Sequence, residues 1–189
     1  MVLELAAARR SGQSLVGQIE RASGVKVSDC YQCGKCTAGC PLSFAMDYGP
    51  RQIMRLLQLG LGEEAMRARA PWLCASCITC TVRCPRGVEV AKVMEVLRIM
   101  AKERGLVAER SVDLFSDLFL ASVAAKGRVD EFALSVRYNL GSGHWLKDAG
   151  LAPTLLRHGK VRLRTARIAG YRAVKEIFAR SKKRGGVPR

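Results

Sequence analysis

Eight cysteines are the chemistry-bearing residues of this chain, and they fall into two copies of one pattern. The first copy reads CYQCGKCTAGCP, with Cys30, Cys33, Cys36 and Cys40. The second reads CASCITCTVRCP, with Cys74, Cys77, Cys80 and Cys84. Both have the spacing C-x-x-C-x-x-C-x-x-x-C-P, which suits iron–sulfur ligation by four thiolates per [4Fe–4S] cluster. Three sulfurs must reach three corners of one small cubane. Gaps of two residues let a tight turn wrap one face, with the intervening N–H groups pointing inward at a negatively charged cluster. Gly34 suits such a turn because it carries no penalty at positive φ. Pro41 and Pro85 bend the chain away and donate no hydrogen bond.

The same run occurs in bacterial two-cluster ferredoxins, where the fourth cysteine ligates the other cluster. Resemblance to them implies that Cys30, Cys33, Cys36 and Cys84 hold one cluster. Cys74, Cys77, Cys80 and Cys40 then hold the other. Two further readings compete. A disulfide framework needs an oxidising compartment and is typical of short secreted chains, and the stretch MVLELAAARRSGQ has no export pattern. Structural zinc sites pair one C-x-x-C with a distant second pair. Here three cysteines at two-residue gaps precede C-P, twice, and His144 and His158 lie far from both runs. The histidines read as surface or packing residues. The iron–sulfur reading uses all eight cysteines without remainder.

The elements that must position the loops read as helical. Ser14 fits an N-cap, with Leu15 and Ile19 on one face and Gly24 as the stop. Between the loops, Pro50 suits a first helical position, and Ile53, Met54, Leu57 and Gln58 follow at helical spacing. The glycines at 60 and 62 stop that helix, and a second runs from Glu63 to Ala70, closed by Pro71. Trp72 and Leu73 precede Cys74, where they either screen a cluster or pack in the core. After Pro85, residues 87–105 form the best helix of the chain, with Val90, Val93, Met94, Leu97, Met100 and Ala101 in one apolar stripe.

From about Leu106 the chain holds no chemistry of its own. One helix is expected through Val112, Phe115, Leu118, Phe119, Ser122 and Val123, ending at Gly127, and another over 129–139. The GSG at 141–143 reads as a flexible break, 161–165 as an extended stretch, and 168–183 as a basic amphipathic helix with Ile168, Tyr171, Val174, Ile177 and Phe178 inward. The terminal GGVPR is expected to be loose. The fold class is therefore all-α. An α-helical ferredoxin domain with two [4Fe–4S] clusters spans 1–108, and a basic helical extension for partner docking spans 109–189.

The chain has 189 residues and a formal net charge of +16. Residues 150–189 carry twelve of its 32 basic residues and one acid, Glu176. Each oxidised cluster with four thiolates adds about −2 and offsets part of that charge. The basic tail invites nucleic acid as a partner, but no helix-turn-helix, RNA-binding motif or aromatic–basic interleaving accompanies it. Docking on an acidic partner protein is the preferred use. No apolar run of eighteen residues exists, so no transmembrane helix is expected. A soluble protein of a reducing compartment, the cytoplasm, is expected.

CYQCGKCTAGCP, WLCASCITCTVRCPRGVEV, the loop–helix–loop–helix order over 25–105 and GRVDE at 127–131 together resemble the iron–sulfur C component of heterodisulfide reductase. The resemblance implies an electron-transfer member of a hetero-oligomer, not catalytic alone. It would bridge a flavin-containing, iron–sulfur A component and a catalytic B component, relaying electrons toward a disulfide-reducing site in the latter. The contrasting reading is a free-standing iron–sulfur carrier or redox sensor whose basic tail binds nucleic acid or membrane.

Overall fold

The structure is a computed structural model and describes residues 15–143, 150, 152–158 and 165–183. Among these residues it is helical, without a strand. The chain divides into two compact units, Met1–Glu109 and Arg110–Arg189.

In the first unit, α1 covers residues 15–23, and its Leu15, Val16 and Ile19 are buried. The Ser14 cap lies outside the described residues. The Glu20 carboxylate accepts from the N–H of Val27 (2.8 Å), which fixes the exit of the chain toward the first cysteine loop. That loop contains the short α2 (Lys35–Ala38) and leads to α3 (Pro50–Gln58), which starts on Pro50 as its sequence indicates. Then follow α4 (Gly62–Arg67) and α5 (Ala70–Leu73). The second cysteine loop holds α6 (Thr79–Val82), and α7 (Val90–Glu103) follows it. Ile53, Met54, Leu57, Met66, Val93, Met94, Leu97 and Ala101 from α3, α4 and α7 are each at most 1% exposed and form the core. Burial of each of these side chains other than Ala101 contributes about 1.5–3 kcal/mol. A helix lying beneath each loop thus gives the loop a rigid floor.

α3 and α7 end in the same way. Gly60 (φ +78°) and Gly105 (φ +70°) take the left-handed conformation. The next N–H then reaches back to the helix: Leu61 to the Leu56 carbonyl and Leu106 to the Ala101 carbonyl, each 2.8 Å. This six-to-one closure satisfies carbonyls that a helix end leaves orphaned.

The expected helix from Glu63 to Ala70 is two pieces. Ala68 is extended (ψ 150°), and Pro71 sits inside the first turn of α5 rather than closing a helix. Proline is tolerated there because a first-turn N–H has no intrahelical partner. The Asp47 carboxylate caps this restart, accepting from the N–H groups of Arg69 (2.7 Å) and Ala70 (3.0 Å). Trp72 is core, 3% exposed.

In the second unit, α8 (Arg110–Lys126), α9 (Glu131–Ser142), α10 (Ala152–Arg157) and α11 (Tyr171–Lys183) follow. Asp130 caps α9 by accepting from the Ala133 N–H (3.2 Å) and ion-pairs with Lys126. The expected GSG break lies partly within α9, which continues through Gly141 and Ser142 and ends at Gly143. Gly141 is needed for closeness, since a Cβ there would meet Leu114 Cδ2 of α8 at 2.9 Å. The final helix begins at Tyr171, not Ile168. Tyr171, Val174 and Phe178 are half-buried, whereas Ile177 is 55% exposed. The 161–164 stretch and the last six residues lie outside the described residues.

Candidate functional site

The two cysteine loops share one backbone. Within the first, Thr37 N–H and Ala38 N–H donate to the Gly34 carbonyl, Gly39 N–H to Lys35, and Cys40 N–H to Thr37. Within the second, Thr81 and Val82 donate to Ile78, Arg83 to Thr79, and Cys84 to Thr81. Each residue has its counterpart in the other loop. Positive φ recurs at matching places: Gln32 (65°) with Ser76 (53°), and Gly34 (84°) with Ile78 (54°). Gly34 meets the requirement at no steric cost. Ile78, β-branched, holds a conformation its side chain disfavours, at a cost of about 1–3 kcal/mol. Such strain persists only where surrounding structure imposes it, and here it falls between Cys77 and Cys80.

Exposure of the thiols repeats as well. Cys36 and Cys80 are buried, Cys33 and Cys77 are exposed, and Cys30, Cys74, Cys40 and Cys84 lie between. All eight are unbridged. Cys40, from the first loop, lines one cavity with Cys74, Cys77 and Cys80 of the second, over a floor that includes Pro50, Ala91 and Met94. In the other grouping, Cys30 acts electrostatically on Cys36. Among the described residues, no three His, Cys, Asp or Glu close around a single metal ion. His158 is exposed, and His144 lies outside the described residues.

The hydrogen bonds around the sulfurs suit thiolates. Burial pushes the Cys36, Cys74 and Cys80 thiols up, because a charged sulfur loses water there. The nearby backbone N–H groups of Thr37, Ser76 and Thr81 pull the other way. The exposed Cys77 thiol is lowered, first by the Thr79 hydroxyl 3.4 Å away and then by the Thr79 N–H. Val88 N–H lies 3.3 Å from Cys84 Sγ, and Gln32 Nε2 lies 3.5 Å from Cys30 Sγ. Buried sulfurs surrounded by inward N–H donors fit a polyanionic sulfur cluster better than neutral thiols.

Three structural supports have no motif of their own in the sequence. Gln58 Nε2 donates to the Cys30 carbonyl (2.6 Å) and the Val27 carbonyl (2.9 Å), and its Oε1 accepts from Gln32 (3.2 Å). It ties the first loop to α3, beside an open cleft of about 710 Å³ that reaches Cys30. Asp47 ties the chain after the first loop to α5, directly before Cys74. Thr37 and Thr81 link each loop to the helix that follows it. Only the threonines left a trace in the sequence, as the residue after the third cysteine of both runs.

Residues 26–88, which hold both loops, match the family described as "4Fe-4S dicluster domain". This segment is a 4Fe–4S dicluster domain. The chain is also similar to the iron–sulfur C component of the CoB–CoM heterodisulfide reductase of Methanopyrus kandleri, 42% identical over 93 residues, 48% of either chain. It is 37% identical over 91 residues to the C component of the H2:CoB–CoM heterodisulfide, ferredoxin reductase of Methanothermobacter thermautotrophicus, covering 48% of this chain and 49% of that one. A protein of Archaeoglobus profundus, described as like the C component of heterodisulfide reductase, is 31% identical over 91 residues, 48% of each. The chain spans about half the length of the curated relatives it matches. The dicluster domain accounts for both cysteine loops, and it makes [4Fe–4S] clusters the cofactor. No helix among the described residues is long and apolar enough to cross a membrane.

Proposed function

We propose that this chain is the electron-transfer iron–sulfur component of a heterodisulfide-reductase-like complex. It carries two [4Fe–4S] clusters and relays electrons between a flavin-containing A component and a catalytic, disulfide-reducing B component in the cytoplasm. One observation carries the ligand assignment: Cys40 lines the same cavity as Cys74, Cys77 and Cys80. It supports exchanged ligation, with Cys30, Cys33, Cys36 and Cys84 around the other cluster. A [4Fe–4S] cluster supplies one-electron redox chemistry when bound. The residues of this chain hold the thiolates, exclude water from Cys36 and Cys80, and direct N–H groups at the sulfurs.

The helices after residue 109 support the partner-docking half of this reading. Phe115, Phe119, Leu120, Phe132, Val136 and Leu140 of α8 and α9 are each at least 39% exposed. Leu134 is the one buried hydrophobic side chain of that unit among the described residues. Exposed apolar surface of this kind is typical of a face covered in an assembly. The test is co-expression with the A and B components. Full-length chain should co-purify with them, and chain cut after residue 109 should lose them while keeping its iron. Salt-sensitive binding of the full chain to nucleic acid or anionic vesicles, with neither component captured, would favour the free-standing carrier instead.

A further inference from the structure

The two cysteine loops share a backbone but not a surface. Position for position, the first carries Gly34, Ala38 and Gly39 where the second carries Ile78, Val82 and Arg83. Ile78 is 57% exposed and Val82 75% exposed. The Val82 N–H donates to the Ile78 carbonyl at 3.1 Å, so the two residues stand one turn apart at α6. Ile78 also lines a cavity with Pro41 and Leu42 of the first loop's exit. Phe44, two residues further on, is 84% exposed. Apolar side chains thus run from the second loop to the segment that leaves the first.

Folding alone does not ask for them. Ile78 holds φ 54°, where glycine or asparagine costs less than a β-branched residue. Being exposed, its side chain recovers little of that cost through burial. Val82 brings a second β-branched side chain to a short helix, which gains nothing from the branching. Exposed hydrophobics scattered singly need no explanation, whereas a group of them with a polar rim marks an interaction site.

The rim is basic. Residues 30–46 and 74–88 contain Lys35, Arg83 and Arg86 and no acid. Arg83 and Arg86 are both exposed. The Arg83 side chain reaches across to the first loop, since a Cβ on Gly39 would meet its Nη1 at 2.7 Å. Gly39 therefore leaves room for the guanidinium over the seam where α2 and α6 pack. An apolar centre with arginines around it and no carboxylate suits a partner that brings the acids. Arginine pairs with carboxylates through two parallel hydrogen bonds. Cys77, the exposed thiol of the second loop, is next to Ile78 and lines the same cavity.

We propose that this face, centred on Ile78 and Val82 and rimmed by Arg83 and Arg86, docks an acidic redox partner protein. The cluster held by Cys74, Cys77 and Cys80 is the one presented to that partner. One electron passes between this cluster and the partner's flavin or iron–sulfur cofactor, and no bond forms or breaks. The inference rests on the electron-transfer reading above and concerns a surface of the dicluster domain itself, not α8 and α9.

The test uses the full iron-loaded chain and the A and B components, each purified without oxygen. Affinity for each component is measured at low and high salt, and iron is counted in every sample. Val82→Asp and Ile78→Asn should each weaken binding of one component by about tenfold or more, as truncating a central contact does, and keep wild-type iron. Asparagine accepts the left-handed conformation, so Ile78→Asn does not strain the loop. Arg86→Glu should weaken the same component most at low salt, where exposed charges are least screened. Ala38→Asp, at the matching place in the first loop, should bind as wild type does. Wild-type chain that lacks iron, or that binds neither component, would refute the electron-transfer reading itself. Wild-type chain that binds, with Val82→Asp and Ile78→Asn binding equally well, would overturn the docking surface alone. Equal losses from Ala38→Asp and Val82→Asp would also overturn it, as would loss of iron from Val82→Asp or Ile78→Asn. Loss of binding to phosphatidylglycerol vesicles by Arg86→Glu, with both components still held, would assign the face to a membrane and overturn it too.

Discussion

Replacing Gln58 by Leu should release the first cysteine loop while leaving the second in place. Leucine has similar volume and no hydrogen-bonding groups. The substitution deprives the Val27 and Cys30 carbonyls of their donor and the Gln32 amide of its acceptor. A neutral hydrogen bond contributes a net 0.5–1.5 kcal/mol, so the two carbonyl bonds together hold the loop by about 2 kcal/mol. Gln58 is half-buried, so water restores part of this and the figure is an upper bound. Local opening then becomes up to about thirty times more frequent, at 1.4 kcal/mol per factor of ten. Where opening is fast and capture slow, loss to a trap follows the open population. An iron chelator reaches Cys30 through the cleft beside it. Roughly half the iron should therefore leave Gln58→Leu up to about thirty times faster than wild type, and the other half at the wild-type rate. Gln58→Glu should release it faster still, because a carboxylate would face two carbonyl oxygens. Release from both variants within twofold of wild type would refute the role given to Gln58.

Other outcomes follow from the same geometry. Cys84→Ser should disturb the cluster held by Cys30, Cys33 and Cys36, although it lies in the second loop; loss confined to the second-loop cluster, seen by paramagnetic resonance, would contradict exchanged ligation. Asp47→Ala removes the acceptor shared by the Arg69 and Ala70 N–H groups and should lower stability by about 0.5–2 kcal/mol, the cost of a lost cap, in a denaturant titration. The Lys126 ammonium and the Ala133 N–H hold the Asp130 carboxyl below its usual range. Its folded value lies below the unfolded value of about 3.9, so its stabilisation is present above that pH and disappears as pH falls through the folded value. Melting curves should thus show Asp130→Asn less stable than wild type at about pH 7, with the gap closing below about pH 4.

How much of this was legible beforehand depended on whether a signal was local. The cysteine runs, Pro50 at the start of α3, and the Val90–Ala101 stripe each stand out within a few residues, and the structure has the proline and the stripe as read. Pro71 was misread because a proline ends one helix and opens another with equal ease. The deciding residue, Asp47, lies 22 positions away from Arg69. Gly141 reads as a break on its own, and only the approach of Leu114 explains why α9 runs through it. Ile177 fits the apolar spacing of α11 but lies outside its half-buried face. Spacing gives a periodicity, and the neighbours choose the phase. In the site, the thiols were visible as candidate ligands. Their supports were not, because Gln58 and Gln32 are ordinary polar residues until the fold joins them across 26 positions. The positive φ of Ile78 had no signal at all, since its residue type argues against it.

Iron and acid-labile sulfide, counted per chain on protein purified without oxygen, test the central claim most directly. Two [4Fe–4S] clusters require about eight of each. Little iron accompanied by one or two zinc ions would contradict the two-cluster account and the electron-transfer role built on it.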